Sequence, residues 1–228
     1  PNMIAPRSHR HATQTHPAVI IALAELLKDA GAKPFVADSP AWADTFACAD
    51  ALKLSEPLNK LGVPIKQLDQ PVKCTLPITG AKVGISRYAL EADVIFNIPK
   101  FKSHQQLAAT FAVKNMFGCV SGKKKALWHF RKGAHPPDFC TFLIDICNYL
   151  SPSLTLIDGI YAMDGPGPIR GRTRPLGWLI AGTDPIACET ICAELINSRP
   201  CDFPIVRTAR YLGIGTSNIE DIEIKSDN

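Results

Sequence analysis

Helical and strand-like segments alternate along the whole chain, and this alternation restricts the fold more than any other feature of the sequence. From Pro17 to Ala30, apolar residues recur at helical spacing; Pro17 suits a first helical turn, and Gly31 a stop. The following segment, KPFVADSP, is typical of a short strand that ends in a turn. Strands separated by helices indicate a sheet that is covered on both faces. The sequence therefore predicts an α/β fold, with a mixed or mainly parallel sheet and helices on both faces.

The other elements are predicted from the same two patterns. A nearly continuous apolar run, ADVIFNIPK, is typical of a buried strand. Asp184 precedes Pro185 at a position that suits the N-cap of a helix. The remaining predictions are a helix over about 41–61, a strand at 63–69, a hairpin and loop over 71–90, a helix over about 138–150, strands at 154–160 and 177–185, helices over about 184–195 and 204–211, and a last strand at 219–224.

The composition is that of a globular chain and argues against several classes of protein. Lys and Arg number 25 against 21 Asp and Glu, and this net charge of +4 is too weak to favour nucleic acid. No run approaches the ~18 apolar residues of a membrane span, and no signal peptide is visible. The eight cysteines form no Cys-x-x-Cys pair, and reduced thiols fit a cytoplasmic protein. We expect a single, cytoplasmic α/β domain over residues 1–228 that does not bind membranes.

Two lysines and a histidine follow the strand predicted at 92–100. In open α/β sheets, ligands bind beyond the carboxyl ends of the strands. Lys100, Lys102 and His104 are predicted to leave the strand at that end, where the two ammonium groups could hold a carboxylate or a phosphate. The imidazole of His104 could then transfer a proton. A solvated basic loop is the alternative, and the stiff Pro99 and the alternating polar residues favour a site.

A second cluster, AVKNMFGCVSG, places Lys114 and Asn115 among small and apolar residues. A lysine in such surroundings either extends its ammonium group to solvent or is held for a purpose. Gly118 would allow a ligand to approach the backbone closely. The residue order of a Walker A loop is absent, so a nucleotide site is weakly supported. Cys119 stays open between a reactive thiol and a packed one.

Two further residues could complete a site. His129 could act as a second acid or base or bind a metal, whereas a surface or capping role is preferred for His135. Asp158 ends the predicted strand LTLIDGI, a position that suits a ligand or a catalytic group. An Asp-Gly turn is an equal alternative for Asp158. No ligand spacing defines a metal site.

Taken in chain order, these motifs resemble the bacterial and archaeal family called domain of unknown function 362. The shared pattern is a strand ending in Pro-Lys-x-Lys-x-His, then Lys-Asn-x-Phe-Gly, a later His, Asp-Gly-x-x-x-Met-x-Gly-x-Gly-Pro and a final Asp-Pro. The segment HPAVIIALAELLKDAGAK also matches the family's opening helix, so the resemblance covers nearly the whole chain. Its residues here are Lys100, Lys102, His104, Lys114, Asn115, Phe117, Gly118, His129, Asp158, Gly159, Met163, Gly165, Gly167, Pro168, Asp184 and Pro185.

The resemblance implies an association with redox-active modules, because members of this family often carry or neighbour ferredoxin-like modules with four-iron four-sulfur clusters. No clear motif in this chain encodes a cofactor, so such a cluster is expected in a missing or partner module. Family members usually have a strand ending in Lys-Pro-Asn before the segment that starts here at Pro1-Asn2. We therefore expect a fragment of a longer chain that lacks its first strand and any ferredoxin-like module.

Three functions fit this sequence. The first is a redox-linked enzyme domain that binds a small anionic substrate. An isomerase or racemase that uses two histidines as opposed acid and base is one alternative. A non-catalytic module that binds an anionic partner through Lys123–Lys125 and Arg131-Lys132 is the other. The catalytic candidates are His104, His129 and Lys114, and the substrate-binding candidates are Lys100, Lys102, Asn115, Asp158 and Gly118.

Overall fold

The computed structural model describes residues 1–40, 43–121, 128 and 135–226. The strands are β1 (Val36–Asp38), β2 (Ile65–Gln67), β3 (Pro71–Thr75), β4 (Lys82–Ser86), β5 (Phe96–Asn97), β6 (Lys100–His104), β7 (Ala108–Thr110), β8 (Leu154–Asp164) and β9 (Arg172–Gly182). The α-helices are α1 (Pro17–Asp29), α2 (Thr45–Ala51), α3 (Ser55–Lys60), α4 (Arg87–Leu90), α5 (Pro136–Leu150), α6 (Pro185–Leu195) and α7 (Pro204–Leu212). Short 3-10 helices lie at His9–His11, Val113–Cys119, Pro200–Asp202 and Ile219–Asp221. Within the described residues, no helix has the length and apolar character needed to span a membrane.

The main sheet is built around β8, which is hydrogen-bonded along both of its edges. β5 and β6 run parallel to β8 along one edge, in a common register that pairs Phe96 with Leu154 and Lys100 with Asp158. β9 runs antiparallel to β8 along the other edge, and β7 runs antiparallel to β6. The sheet is therefore mixed, and the predicted α/β fold is confirmed.

Two smaller sheets accompany the main sheet. β1 and β2 pair in parallel, as expected for strands joined through the helices α2 and α3. Ile20 of α1, Leu52 and Leu58 form an apolar cluster with Val36 of β1, so this part of the chain has its own core. β3 and β4 form an antiparallel hairpin, which confirms the hairpin predicted within 71–90.

Helices pack on the main sheet and on the hairpin. Phe101 of β6 and Ile157 of β8 pack with Cys192 of α6 and Val206 of α7. On the other side, α5 packs against the hairpin through a cluster that includes Phe142. Burying an apolar side chain of this size stabilises a fold by about 1.5–3 kcal/mol, so these clusters fix the position of β6 within the sheet.

The strand predicted at 92–100 is two strands in the structure, and the second extends beyond the apolar run to His104. Phe96–Asn97 is a strand, the pairing stops at Pro99, and Lys100–His104 continues it. Proline has no N–H group for the ladder, which explains the interruption. Its carbonyl still accepts a hydrogen bond from Asp158 N at 2.9 Å. The prediction that Lys100, Lys102 and His104 leave the end of a strand is therefore wrong, because they form the strand β6.

The structure tests four other predictions. Over the described residues 43–61, the helix predicted for 41–61 is two helices, because Lys53 adopts a left-handed φ of 58° between α2 and α3. The last predicted strand contains a 3-10 helix at Ile219–Asp221 instead. Asp158 lies inside β8 and not at its end, so neither a strand-end position nor an Asp-Gly turn describes it. The N-cap is confirmed, since Asp184 Oδ1 accepts a hydrogen bond from Ile186 N at 2.7 Å.

Candidate functional site

β6 has one apolar face and one cationic face. Phe101 projects into the apolar cluster shared with α6 and α7. The register of β6 on β8 shifts between Lys100 and Lys102. Both side chains nevertheless lie beneath the segment 13–16, which contacts Lys102 and the Asp158 partner of Lys100, and they are 1% and 3% exposed. The regular pairing of β6 with β7 places His104 on the same face as Lys102. The buried segment Thr13–Thr15 covers this face, which we call the lysine face and define by Lys100, Lys102 and His104.

Lys100 is paired with Asp158, its neighbour across the strand. Lys100 Nζ lies 2.7 Å from Asp158 Oδ2, and both side chains are fully buried. Asp158 Oδ2 also accepts a hydrogen bond from His16 N at 2.6 Å, and Oδ1 accepts one from Ile160 N at 3.0 Å. Burial lowers the pKa of Lys100, and the carboxylate of Asp158 opposes that shift. The pair therefore compensates its own charge and ties the N-terminal segment to the sheet.

Lys102 has different surroundings. Its Nζ donates to Asn2 Oδ1 at 2.5 Å and to the carbonyl oxygen of Thr13 at 3.0 Å, both neutral acceptors. Within the described residues, no carboxylate lies within ion-pair distance of this ammonium group. Burial, followed by the nearby charge of Lys114, lowers the pKa of Lys102 to about 7, while Asp38 opposes the shift. Lys102 is therefore a buried amine that changes protonation near neutral pH.

A chain of side-chain amides leads from Lys102 into the interior. Asn2 Nδ2 donates to Asn115 Oδ1 at 2.9 Å, and Asn115 Nδ2 donates to Asn97 Oδ1 at 2.8 Å. Asn97 Nδ2 then donates to the carbonyl oxygen of Ala112 at 3.0 Å. Sequence reasoning did not select Asn2 or Asn97. The signal for Asn97 is its amide inside an otherwise apolar run, because a buried amide needs hydrogen-bond partners.

Lys114 and Gly118 lie on the 3-10 helix Val113–Cys119, beside the lysine face. Lys114 is half-buried, and its charge contributes to the lowered pKa of Lys102. A Cβ atom at Gly118 would lie 2.6 Å from Asp38 Oδ1. The glycine thus allows the Asp38 carboxylate, rather than a ligand, to approach the backbone closely. The structure brings Lys114 and Asn115 to the lysines and gives Gly118 a packing role next to them.

Of the two histidines of the predicted acid/base pair, His104 lies within the residues that the structure describes. His104 is 6% exposed, and its Nδ1 accepts a hydrogen bond from Gln106 N at 3.3 Å. A neutral ring that accepts at Nδ1 carries its proton on Nε2. His129 lies outside the residues that the structure describes, as do Lys123–Lys125 and Arg131-Lys132. His135 is exposed and lies 3.7 Å from Asp138 Oδ1 at the start of α5, in agreement with the surface role preferred for it.

A cavity of about 410 Å³ lies between β1 and β5. Most of its walls are apolar side chains of α1, β1 and the segment before β5, while Asn97, Asn115, Gly118 and Cys119 contribute to one part of them. The amide chain therefore reaches this cavity. Lys100, Lys102, Lys114 and His104 are not among its lining residues, so the cavity and the lysine face are separate features joined through the amides.

The family resemblance implies an iron–sulfur cluster in a missing or partner module, and the described residues of this chain do not form a site that fits one. Such clusters are held by several cysteine thiolates at one place. Of the eight cysteines, six are buried, and burial raises the pKa of thiols such as Cys188 and Cys192. Among the described residues, no group of three or more His, Cys, Asp or Glu side chains could hold a metal ion.

Comparison with known sequences assigns the α/β domain and its lysine face to a family. Residues 1–194 match the family described as Domain of unknown function (DUF362). This range includes β6, β8, the 3-10 helix of Lys114 and nearly all of α6. The chain therefore belongs to this family, which confirms the resemblance of its motifs.

A relative extends the similarity beyond the family match. The chain is 34% identical over 220 residues to the thylakoid-associated protein sll1697 of Synechocystis sp. (strain ATCC 27184 / PCC 6803 / Kazusa). The aligned region is 96% of this chain and 68% of the relative. The similarity thus includes residues that follow α6 in this chain.

Proposed function

We propose that this chain is an enzyme domain that binds a small anionic substrate at the lysine face, with Lys102 as the group that meets the anion. One observation carries the proposal: Lys102 is buried beside two other lysines, and the oxygens that it contacts are neutral. A buried ammonium group with like-charged neighbours is destabilised. An anion bound at Lys102 would remove that destabilisation.

Two buried hydroxyl groups support a bound anion. Thr13 Oγ1 and Thr110 Oγ1 have no hydrogen-bond partner among the described residues. Both residues adjoin Lys102, since Thr13 O accepts its hydrogen bond and Thr110 pairs with it across the ladder. Hydrogen bonds to charged acceptors are stronger than those between neutral groups. An anion beside Lys102 would give these hydroxyl groups an acceptor.

The lowered pKa gives Lys102 a second role. With a pKa of about 7, part of the amine is unprotonated at neutral pH when no anion is bound. A nearby negative charge raises the pKa of an amine, so anion binding would draw a proton onto Lys102. A group with this pKa can accept or donate a proton at physiological pH. Lys102 is therefore both the anion contact and the proposed proton-transfer group.

Access to the lysine face requires movement of the segment that covers it. Asn2 and Thr13 accept hydrogen bonds from Lys102, and His16 N donates to Asp158 on the same face. Lys102 is 3% exposed, so this segment must move before an anion can contact the N–H groups of Lys102, of which Asn2 and Thr13 engage two of three. Binding that needs such a rearrangement is slower than docking to a preformed surface. We expect association well below the diffusion limit.

Calorimetry with inorganic phosphate and with succinate tests this proposal. At pH 7.5, in two buffers of different ionisation enthalpy, we expect at least one of these probes to bind with net uptake of up to one proton. At pH 5.5 Lys102 is already protonated, so binding should persist and only the probe's own ionisation should then contribute to the proton exchange. Lys102→Met should weaken binding by at least about tenfold, the loss of roughly one charged contact, and abolish the uptake.

Lys73→Gln is the matched control, because Lys73 is an exposed lysine on β3. This variant should bind the probes like the wild type and with the same proton uptake. Equal binding and equal uptake in wild type and Lys102→Met would contradict the proposal. Binding lost equally in both variants would indicate general charge attraction and would contradict it too.

An isomerase or racemase is the second candidate, and the common face of Lys102 and His104 favours it. Two groups that transfer protons from one strand face could remove and return a proton at a substrate carbon. Incorporation of deuterium from solvent into a carboxylate that binds, without net oxidation, would identify this chemistry. The redox link and a ferredoxin-like partner enter the first proposal through the family resemblance. Net oxidation or reduction of the bound anion with an added electron carrier would support them.

A further inference from the structure

Glu189 is a carboxylate buried on α6, away from the lysine face. It is 1% exposed, and its Oε1 accepts hydrogen bonds from the backbone N–H groups of Ala112 and Val113, both at 2.9 Å. Within the described residues, no Lys or Arg lies within ion-pair distance of it. Backbone N–H groups of another element are thus the partners that the structure gives to this carboxylate.

Burial of the charged Glu189 side chain is unfavourable, and the two backbone hydrogen bonds offset part of that cost. Burial raises the pKa of Glu189 to about 7, and the backbone N–H groups oppose that shift. Its neighbours on α6, Cys188 and Cys192, belong to an apolar cluster that a leucine at this position would suit. A buried carboxylate without a counter-ion is retained where its acceptor oxygens are needed.

The two N–H groups belong to the residues at which the 3-10 helix Val113–Cys119 begins. The first N–H groups of a helical turn have no partner inside the turn, and Ala112, at the N-cap, supplies no side-chain cap. Glu189 fills that place from another element. The carbonyl oxygen of Ala112 is held as well, by Asn97 Nδ2 at 3.0 Å. The start of this turn is therefore fixed on both sides of one residue.

Lys114 lies next in sequence to this fixed start of the turn. It is the residue after Val113, and its charge acts on Lys102. Asn115, the next residue, joins the amide chain that leads to Asn2 and Lys102. A displacement of the turn start would move both side chains relative to the lysine face. The position of Glu189 thus bears on the electrostatics of Lys102 without any direct contact.

We infer that Glu189 is a positioning residue that holds Lys114 and Asn115 against the lysine face. This inference rests on the proposed function in one respect, because it takes Lys102 and Lys114 as parts of the same anion site. It predicts that loss of the carboxylate alters Lys102 through Lys114. It also predicts that an amide oxygen at the same place preserves the arrangement, since it can accept the same two bonds.

The test follows Lys102 itself and needs no ligand. The ¹³Cε shift of Lys102, assigned with Lys102→Arg, is measured against pH by NMR in wild type, Glu189→Leu and Glu189→Gln. In Glu189→Leu the turn is released and Lys114 moves away, so the pKa of Lys102 should rise by about 0.5 or more. Glu189→Gln should stay near the wild type. Direct loss of a carboxylate charge would lower the pKa of Lys102 instead, so the sign separates the two causes.

Lys114→Met provides the second half of a double-mutant cycle. Lys114→Met alone should raise the pKa of Lys102, and Glu189→Leu should add nothing to it in that background. An unchanged pKa in Glu189→Leu, or an equal rise with and without Lys114, would overturn the inference. If Glu189→Leu does not fold, Glu189→Asp takes its place, because its carboxylate is one methylene shorter. Failure of the calorimetric anion experiment would leave this result unaffected, so the two proposals fail separately.

Discussion

Lys102 on β6 and Glu189 on α6 are both buried ionisable groups, and they lie on either side of the turn that carries Lys114. Burial moves both pKa values to about 7, downward for the amine and upward for the carboxylate. Their contacts differ. Glu189 receives two backbone N–H bonds of 2.9 Å at one oxygen, whereas Lys102 donates to two neutral oxygens and has other lysines nearby.

This difference separates a buried charge whose hydrogen bonds stabilise the fold, at Glu189, from a buried charge whose burial costs stability, at Lys102. Removing Glu189 leaves two backbone N–H groups without an acceptor, and an unsatisfied buried donor costs about 1–3 kcal/mol. Removing Lys102 leaves an amide oxygen and a carbonyl oxygen, which other donors can satisfy more readily. Lys100 resembles Glu189 in this respect, because Asp158 compensates it. Lys102 is thus the residue of the three for which we propose a function outside stability.

The largest effect is expected at the Lys100–Asp158 pair, where a buried ammonium group loses the carboxylate that it contacts among the described residues. Asp158→Ala leaves the Lys100 ammonium buried and His16 N without its acceptor. The free energy of unfolding should fall by about 3–5 kcal/mol, measured by urea denaturation at pH 7. Asp93→Ala, at an exposed carboxylate, should change it by less than about 0.5 kcal/mol.

The double variant Asp158→Ala with Lys100→Met sharpens this result. Replacing a whole buried ion pair by apolar side chains is often neutral, so the double variant should recover most of the lost stability. A double variant as unstable as Asp158→Ala alone would show that the carboxylate acts through His16 and Ile160 rather than through Lys100. Lys100 would then no longer count as a compensated charge.

A smaller loss is expected at Glu189. Glu189→Leu removes the acceptor of two N–H groups while keeping the side-chain volume, so the free energy of unfolding should fall by about 1–3 kcal/mol. Glu189→Gln should lose at most half as much stability as Glu189→Leu, since its amide oxygen can accept both hydrogen bonds. Both are measured by urea denaturation at pH 8, where the wild-type carboxylate is ionised. A Glu189→Leu variant as stable as the wild type would remove the contrast with Lys102.

The elements of this fold were largely predictable, because the periodicity of apolar residues is a local property of the sequence. The helix α1, the hairpin and the N-cap Asp184 follow from patterns within about ten residues. β6 was misplaced because its polar residues break the apolar pattern while the register along β8 continues past Pro99. Tertiary pairing, which a local pattern does not contain, decided where the strand ends.

The site was predicted in part for the same reason. Lys100 and Lys102 were selected because they follow a predicted strand, and Lys114 because it stands among small and apolar residues; the structure places the three together. The amide chain joins Asn2 to Asn115 across 113 positions, a contact that no local pattern encodes. Glu189 lies in the helical segment PIACETICAEL, where an acidic residue is ordinary unless the face it occupies is known to be buried. Its role therefore depends on knowing which face of α6 contacts the turn.

The smallest expected effect is a change in how the free energy of unfolding depends on pH. It is the effect most specific to Lys102. Below pH 7 the amine is protonated in both the folded and the unfolded chain, so the full cost of burial applies. Between pH 7 and the ordinary lysine value of 10.5, the unfolded chain binds more protons, and stability rises with pH by at most about 1.4 kcal/mol per unit. Glu189 acts in the opposite direction and in a different range, from 4.5 to about 7.

Lys102→Met should therefore be more stable than the wild type at pH 6, by roughly 1 kcal/mol. Its advantage should shrink as pH rises from 7 to 8.5, because the wild-type amine loses its proton in the folded state and the methionine cannot. Urea denaturation at half-unit steps of pH measures this difference, with Lys73→Gln expected to run parallel to the wild type. Parallel curves for Lys102→Met and wild type would mean that Lys102 keeps an ordinary pKa. In that case the buried amine would be compensated like Glu189, and the reason for placing an anion beside it would disappear.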